Sequence, residues 1–355
     1  MKICTIVGAR PQFIKAATVS RVLKKENIEE VLIHTGQHFD ANMSDVFFDE
    51  MEIQKPRYNL DINGLTHGAM TGQMLEGIEK VLIDEKPDWV IVYGDTNSTI
   101  AGALAAKKLH IRVAHIEAGL RSFNMRMPEE VNRILTDNIS DVLFCPTETA
   151  IRNLTEEGMT GKQVRIANIG DVMYDAALYY SEKAGTIAEQ FNKEAFILCT
   201  IHRAENTDDL NRMKEIIAAL NRLNKEIRIV VPLHPRTTGI IAREGLQCEF
   251  TIIDPVGYFD MLSLIKHSRL VITDSGGLQK EAYFFKKFCI TLRDETEWVE
   301  LVETGVNVLT GANSTAILSA YDHFKDRSGE FDGMLYGDGN AAEKIVSILL
   351  EQTDQ

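Results

Sequence analysis

Apolar residues in this chain fall in short runs separated by stretches where they recur at helical spacing, and the two patterns alternate along most of its length. Such alternation predicts strands joined by crossover helices, a parallel sheet covered on both faces, because strands buried on both sides read as continuous apolar runs. In the first half the predicted strands are KICTIV (2–7), EVLIHT (30–35), DWVIVY (88–93), RVAHI (112–116), DVLFC (141–145) and QVRIANI (163–169). The second half repeats the scheme with FILCTI (196–201), IRIVVPL (227–233), FTIID (250–254), RLVITD (269–274), FCITL (288–292) and GVNVLT (305–310). The segment NSTIAGALAAKK (97–108) carries Ala101, Gly102, Ala103, Ala105 and Ala106, small enough for a helix to lie close against a sheet.

The pattern therefore predicts two doubly wound α/β domains, 1–180 and 195–335. The polar stretch SEKAGTIAEQFNKE (181–194) is expected as linker or hinge, and an amphipathic helix within 336–355 packs on either domain. A length of 355 residues agrees with roughly two domains. No short-period repeat points to a solenoid.

Composition narrows the classes. With 45% hydrophobic and 25% charged residues the chain is expected to fold. A net charge of −14, from 52 acidic against 38 basic residues, opposes nucleic-acid binding, since no basic patch offsets it. Five cysteines, at 4, 145, 199, 248 and 289, lack CxxC spacing and mostly lie in apolar runs, so they read as reduced core residues. The N-terminus enters a strand directly, without the features of a signal peptide, and no run reaches the roughly twenty apolar residues of a membrane span. A cytoplasmic protein without a membrane partner is expected.

Ligands of open parallel sheets bind at the carboxyl ends of the strands, so the residues just after each run are where chemistry belongs. After the first run, GARPQFIK places Gly8 for close backbone approach, Arg10 as a planar donor fork and Lys15 one turn into a helix, a phosphate-facing loop. It is neither GxGxxG nor GxxxxGK[ST]. After RLVITD, Ser275, Gly276 and Gly277 open a helix whose bare N–H groups and dipole favour an anion, with Glu281 one turn in, placed for a ribose hydroxyl. Together with Arg10 this predicts a diphosphate held between the two domains. His202 and His234 follow strands beside Arg203 and Arg236, which would repel a metal, so anion contact is the better reading; no metal site is expected.

Asp95 and Glu117 each end a strand, and RSFNMRMPEE (121–130) delivers Glu129 to the next helix. Three carboxylates brought together can move protons, and crowding raises at least one pKa. Glu130 with Arg133, at i and i+3, reads instead as an exposed helix pair.

The motifs GARPQFIK, TGQHFD, VYGDTNSTIAGALAA, HIEAGLRS, MPEEVNRILTD, HRAEN, HPRT and TDSGGLQKEA occur in this order, and the chain resembles the non-hydrolysing UDP-N-acetylglucosamine 2-epimerases from residue 2 to about 311. The resemblance implies a glycosyltransferase-B-like fold of two Rossmann-type domains with the active site in the cleft between them, a homodimer, a UDP-sugar substrate and no cofactor. By the same resemblance Asp95, Glu117, Glu129 and His202 match catalytic positions, and Arg10, Ser275, Gly276, Gly277 and Glu281 match UDP-binding positions. The implied reaction eliminates UDP from UDP-N-acetylglucosamine to 2-acetamidoglucal and adds it back to give UDP-N-acetylmannosamine.

Two segments depart from the pattern. RDETEWVE (293–300) has Trp298 and Val299 where many members have Arg-Pro, and GQHFDANMSDVFF (36–48) differs from the loop associated with allosteric activation. Both are similar to relatives that epimerise UDP-2,3-diacetamido-2,3-dideoxyglucuronic acid, whose C6 carboxylate would call for a cation, with Arg121, Arg126 and Arg293 as candidates. That substrate and a hydrolysing epimerase are the alternatives. A retaining glycosyltransferase or a UDP-sugar sensor has less use for three carboxylates.

Overall fold

The computed structural model describes residues 1–37, 48, 51–183, 185–191, 194–329, 331 and 334–353. Its contacts divide the chain into two units, Met1–Ala176 with Met334–Gln355, and Ala177–Gly333.

The first unit is built on strands β1 (Lys2–Val7), β2 (Glu29–His34), β3 (Tyr58–Asn59), β4 (Trp89–Tyr93), β5 (Arg112–Ile116), β6 (Val142–Cys145) and β7 (Arg165–Asn168), in the spatial order β3-β2-β1-β4-β5-β6-β7. All neighbouring pairs are parallel. The second unit carries β8 (Phe196–Thr200), β9 (Arg228–Pro232), β10 (Thr251–Ile253), β11 (Leu270–Thr273), β12 (Cys289–Thr291) and β13 (Asn307–Leu309), in the order β10-β9-β8-β11-β12-β13, again parallel throughout. Each apolar run is thus a strand. The addition is β3, whose two residues at the sheet edge are too few to show a period.

The strand order reverses beside the first strand of each unit, between β1 and β4 and between β8 and β11. At such a switch point the crossover helices leave toward opposite faces and open a crevice at the strand ends.

Packing explains the alanine-rich helix Asn97–Lys108. Ala101, Ala103, Ala105 and Ala106 are fully buried. A Cβ at Gly102 would lie 3.0–3.2 Å from Ile6 and Val92 side-chain atoms, so this helix rests directly on the switch-point strands.

The polar stretch 181–194 differs from a free linker in its described part. Ile187–Gln190 forms a 3₁₀ turn, and Ala188 and Phe191 are buried in the core of the second unit, since even a polar run folds down when it carries well-spaced apolar anchors. Residues 184, 192 and 193 lie outside the described residues, as does most of the 36–48 loop. The division between units falls instead within the helix Val172–Ser181. The C-terminal helix Ala341–Thr353 belongs to the first unit, where Trp89 Nε1 donates to Thr353 Oγ1 (3.0 Å) and the Ala342 N–H donates to Asp175 (2.8 Å). Among the described residues no helix is long and apolar enough to cross a membrane.

Candidate active site

Both switch points collect polar side chains. In the first unit Gly8 follows β1 with no room for a side chain: a Cβ there would stand 2.0 Å from Ser98 Oγ and 2.4 Å from Thr35 Oγ1. Gln12, buried in the first turn of helix Arg10–Lys25, joins the two sides of the switch. Its Oε1 accepts from the N–H groups of Gly8 (2.7 Å) and Ala9 (3.1 Å), and its Nε2 donates to the Tyr93 carbonyl (2.7 Å). This buried amide holds the loop carrying Arg10 against the end of β4.

The carboxylates sit around that anchor. Glu117 leaves β5 with φ +70°, a left-handed backbone that costs a non-glycine residue about 1–3 kcal/mol, and its carboxylate pairs with the Lys15 ammonium, both largely buried. Lys15, read from the sequence as phosphate-facing, therefore stands with the carboxylates. Asp95, two residues beyond β4, accepts from Arg133 Nε at 2.9 Å. Burial, the largest influence, lifts the Asp95 carboxyl above its ordinary value, with Arg133 opposing and Glu117 adding to the rise. Glu129 is exposed in the first turn of helix Pro128–Ile139. Lys15, Asp95 and Glu129 line one cavity of about 340 Å³, with Gln12, His67, Asn97 and Asn132.

Glu130 corrects the expectation of an exposed helix pair: it is 1% exposed. Its carboxylate accepts from the N–H groups of Ser122 (3.0 Å) and Phe123 (2.8 Å) and pairs with Arg133, fastening the 121–127 link to the helix that carries Glu129. Burial alone would raise this carboxyl, but those two N–H groups and Arg133 outweigh it and hold it below the ordinary range. Arg121 is also differently employed. It is buried on Asp137 (2.8 Å) and Glu157 (2.7 and 2.8 Å), and Asp137 in turn faces His115 Nδ1 (2.7 Å), whose Nε2 lies 2.7 Å from the Gly94 carbonyl. With its donors taken by protein carboxylates, Arg121 is a structural brace.

In the second unit the switch point is bridged by Asp274, which follows β11 and is fully buried. It accepts from the backbone N–H groups of His202 (3.0 Å) and Arg203 (3.0 Å) and from Asn206 Nδ2 (3.2 Å), and lies 3.1 Å from His202 Nδ1. Burial would raise its carboxyl, but the His202 side chain and these N–H donors outweigh it and keep it below the ordinary aspartate range. The His202 side chain is half-exposed. Ser275 caps the helix Gly276–Phe284 by accepting from the Leu278 N–H (3.4 Å). At Gly276 a Cβ would meet Glu297 Oε1 at 2.3 Å, whereas at Gly277 it would enter open space. Glu281 is buried one turn further on. His234 is exposed and caps helix Pro235–Arg243 by accepting from the Arg236 N–H at 3.2 Å, a local duty that accounts for its place after β9.

Sequence reasoning passed over Gln12, His67, Asn132 and Asp274, and it paired Arg133 with Glu130 but not with Asp95. Gln12 and Asp274 lay inside or beside quoted motifs, and a buried amide four residues after Gly8 was a usable signal; His67 belongs to no motif.

Carboxylates with largely buried cationic partners stand at the switch point of the first unit, and a glycine helix start stands at that of the second. The UDP-N-acetylglucosamine 2-epimerase family model matches residues 21–350, and the chain belongs to that family. It is 56% identical over 351 residues, 98% of this chain and 99% of the relative, to the UDP-2,3-diacetamido-2,3-dideoxy-D-glucuronate 2-epimerase of Pseudomonas aeruginosa. The Methanocaldococcus jannaschii UDP-GlcNAc 2-epimerase, solved with UDP-GlcNAc and UDP, superposes with a TM-score of 0.87 at 43% identity, covering 99% of this chain and 100% of that one. The Neisseria meningitidis enzyme bound to UDP-GlcNAc gives 0.86 at 33% identity, with 99% and 100% covered. The fold is glycosyltransferase-B-like, and the protein is an isomerase of the nucleotide-sugar 2-epimerase kind.

Proposed function

We propose that the protein interconverts a UDP-linked 2-acetamido sugar with its C2 epimer by elimination and re-addition of UDP. The observation that carries this reading is the gathering of Asp95, Glu117 and Glu129 with Lys15 and Arg133 at the first switch point. The C2 proton lies beside an acetal carbon and is not acidic enough for simple enolisation. One carboxylate takes that proton while the C1–O bond breaks, its electron pair leaving on the β-phosphate, and C1=C2 forms. In the return step the phosphate oxygen attacks C1 and C2 receives a proton on its other face, so nothing is oxidised or reduced.

Asp95 suits this work because its raised carboxyl exchanges a proton at less cost near neutral pH. The Lys15 ammonium holds Glu117 in place. The departing diphosphate is taken by Arg10, His202 and the Ser275–Gly277 helix start, with Glu281 toward the ribose and His234 a further candidate contact.

Of the two sugars, UDP-2,3-diacetamido-2,3-dideoxyglucuronate stands first, on the 56% identity to the Pseudomonas enzyme and on Trp298, which is buried and stacked on Lys280 Nζ (3.9 Å) where many family members have arginine. UDP-N-acetylglucosamine is the second reading, favoured by the solved relatives that bind it. Proton NMR of each sugar in D₂O is the test. Deuterium at C2 with the manno epimer appearing and the anomeric phosphate bond kept at equilibrium is expected; free UDP with free sugar would mean hydrolysis, and no exchange with either sugar would overturn the reading. A cytoplasmic homodimer belongs to the same proposal. Five unpaired cysteines support a reducing compartment, and light scattering checks the dimer.

A further inference from the structure

Among the polar residues of the first unit's cavity with no part in the proton chemistry are His67, Asn97 and Asn132. A chain of hydrogen bonds sets their orientation. Asn132 Nδ2 lies 2.9 Å from the Asp95 carbonyl oxygen, and a carbonyl only accepts, so that end of Asn132 is its NH₂. The second hydrogen of this NH₂ reaches Asn97 Oδ1 at 3.4 Å, which turns the Asn97 NH₂ the other way, 3.2 Å from His67 Nδ1. An NH₂ only donates, so Nδ1 accepts and the neutral His67 ring carries its hydrogen on Nε2. Asn97 and Asn132 are buried, at 7% and 9% exposure, which holds the relay by packing. His67 itself is exposed on the cavity wall, at the start of helix His67–Glu85.

The relay thus presents a donor of known polarity beside two carboxylates, Asp95 and Glu129. Lys15 is engaged by Glu117 and the Gln12 amide by the Tyr93 carbonyl, so neither is the ready partner for a neutral oxygen on the sugar. Both candidate sugars carry acyl oxygens, and one adds a carboxylate. We propose that His67 Nε2–H is a substrate contact that donates to an acetamido or carboxylate oxygen of the sugar and thereby selects the sugar rather than the nucleotide. The proposal rests on the epimerase reading and adds a specificity residue to it.

His67→Phe keeps a flat ring and removes the donor; His67→Gln restores an N–H. Steady-state kinetics on both sugars, with calorimetric titration of UDP alone and a melting curve for each variant, form the test. The Phe variant is expected to raise KM about tenfold with a smaller change in kcat, as loss of one hydrogen bond does, with UDP affinity and Tm unchanged. The Gln variant is expected to recover most of the loss. An equal rise for both sugars assigns the C2 acetamido oxygen; a rise confined to the uronate assigns its C3 acetamido or C6 carboxylate. Unchanged kinetics on both sugars, or an equal weakening of UDP alone, would overturn the proposal while wild-type exchange at C2 left the epimerase reading standing. Wild-type protein that exchanged neither sugar would overturn both.

Discussion

Asp95 and Asp274 occupy equivalent places in their units, each just past a strand that borders the switch point, yet their surroundings differ in kind. Asp95 is partly buried with one side-chain cation, Arg133, against it and a second carboxylate, Glu117, nearby, so its charge is poorly compensated and its carboxyl rises. Asp274 is fully buried but receives backbone N–H groups from His202 and Arg203, Asn206 and the His202 ring, and its carboxyl falls. The same residue type at the same topological position is therefore a group able to exchange a proton in one unit and a fixed anion tying two loops together in the other. Burial does not decide which; the number of fixed donors does.

The sharpest way to break this comparison is Glu117→Gln, which removes the charge proposed to move the proton but keeps the shape. Exchange at C2 is expected to fall about 10²–10⁴-fold, with UDP affinity nearly intact by titration. Loss of UDP affinity instead would place Glu117 among the binding groups. Next in size is Asp274→Asn, where the loss of charge-assisted hydrogen bonds is expected to lower stability by about 2–3 kcal/mol at neutral pH in denaturant unfolding. Because the folded carboxyl is held below its unfolded value of about 3.9, this contribution is present above that pH and disappears as pH falls toward the folded pKa. The gap between wild type and variant should close in acid.

A smaller effect is expected at the helix start. Gly277→Ala meets open space and should leave Tm unchanged while weakening UDP about tenfold, since the added methyl stands where the anion is proposed to approach. Gly276→Ala meets Glu297 and should lower Tm as well. Smallest in its effect on stability is Asp95→Asn. A raised carboxyl withdraws stability once pH exceeds its unfolded value, so removing the charge should leave the protein no less stable than wild type at neutral pH while epimerisation is lost. A stability loss like that of Asp274→Asn would erase the distinction between the two aspartates.

Much of this was legible in the linear pattern. Strands buried on both faces must be apolar throughout, so the runs mark them without an alignment, and parallel pairing makes the residues after each run converge at one edge of each sheet. The places of Asp95 and Glu117 at strand ends were legible for that reason. Glu130 was not: exposed and buried carboxylates share the same i, i+3 partner, and only the return of the Ser122 and Phe123 N–H groups makes it a clamp. The pairing of Lys15 with Glu117 was not legible because a basic residue near a glycine loop fits a phosphate or a carboxylate equally well, and Glu117 is 102 residues away.

By itself, then, the sequence determined the two parallel sheets and which residues stand at the strand ends, because these follow from periodicity and from local geometry, while the family was carried by the resemblance of its ordered motifs. Only the tertiary structure decided which charges pair, which histidine nitrogen carries hydrogen at His67, and which aspartate is held ionised. Those properties depend on the count and direction of donors arriving from distant segments, and no spacing along a chain records a direction in space.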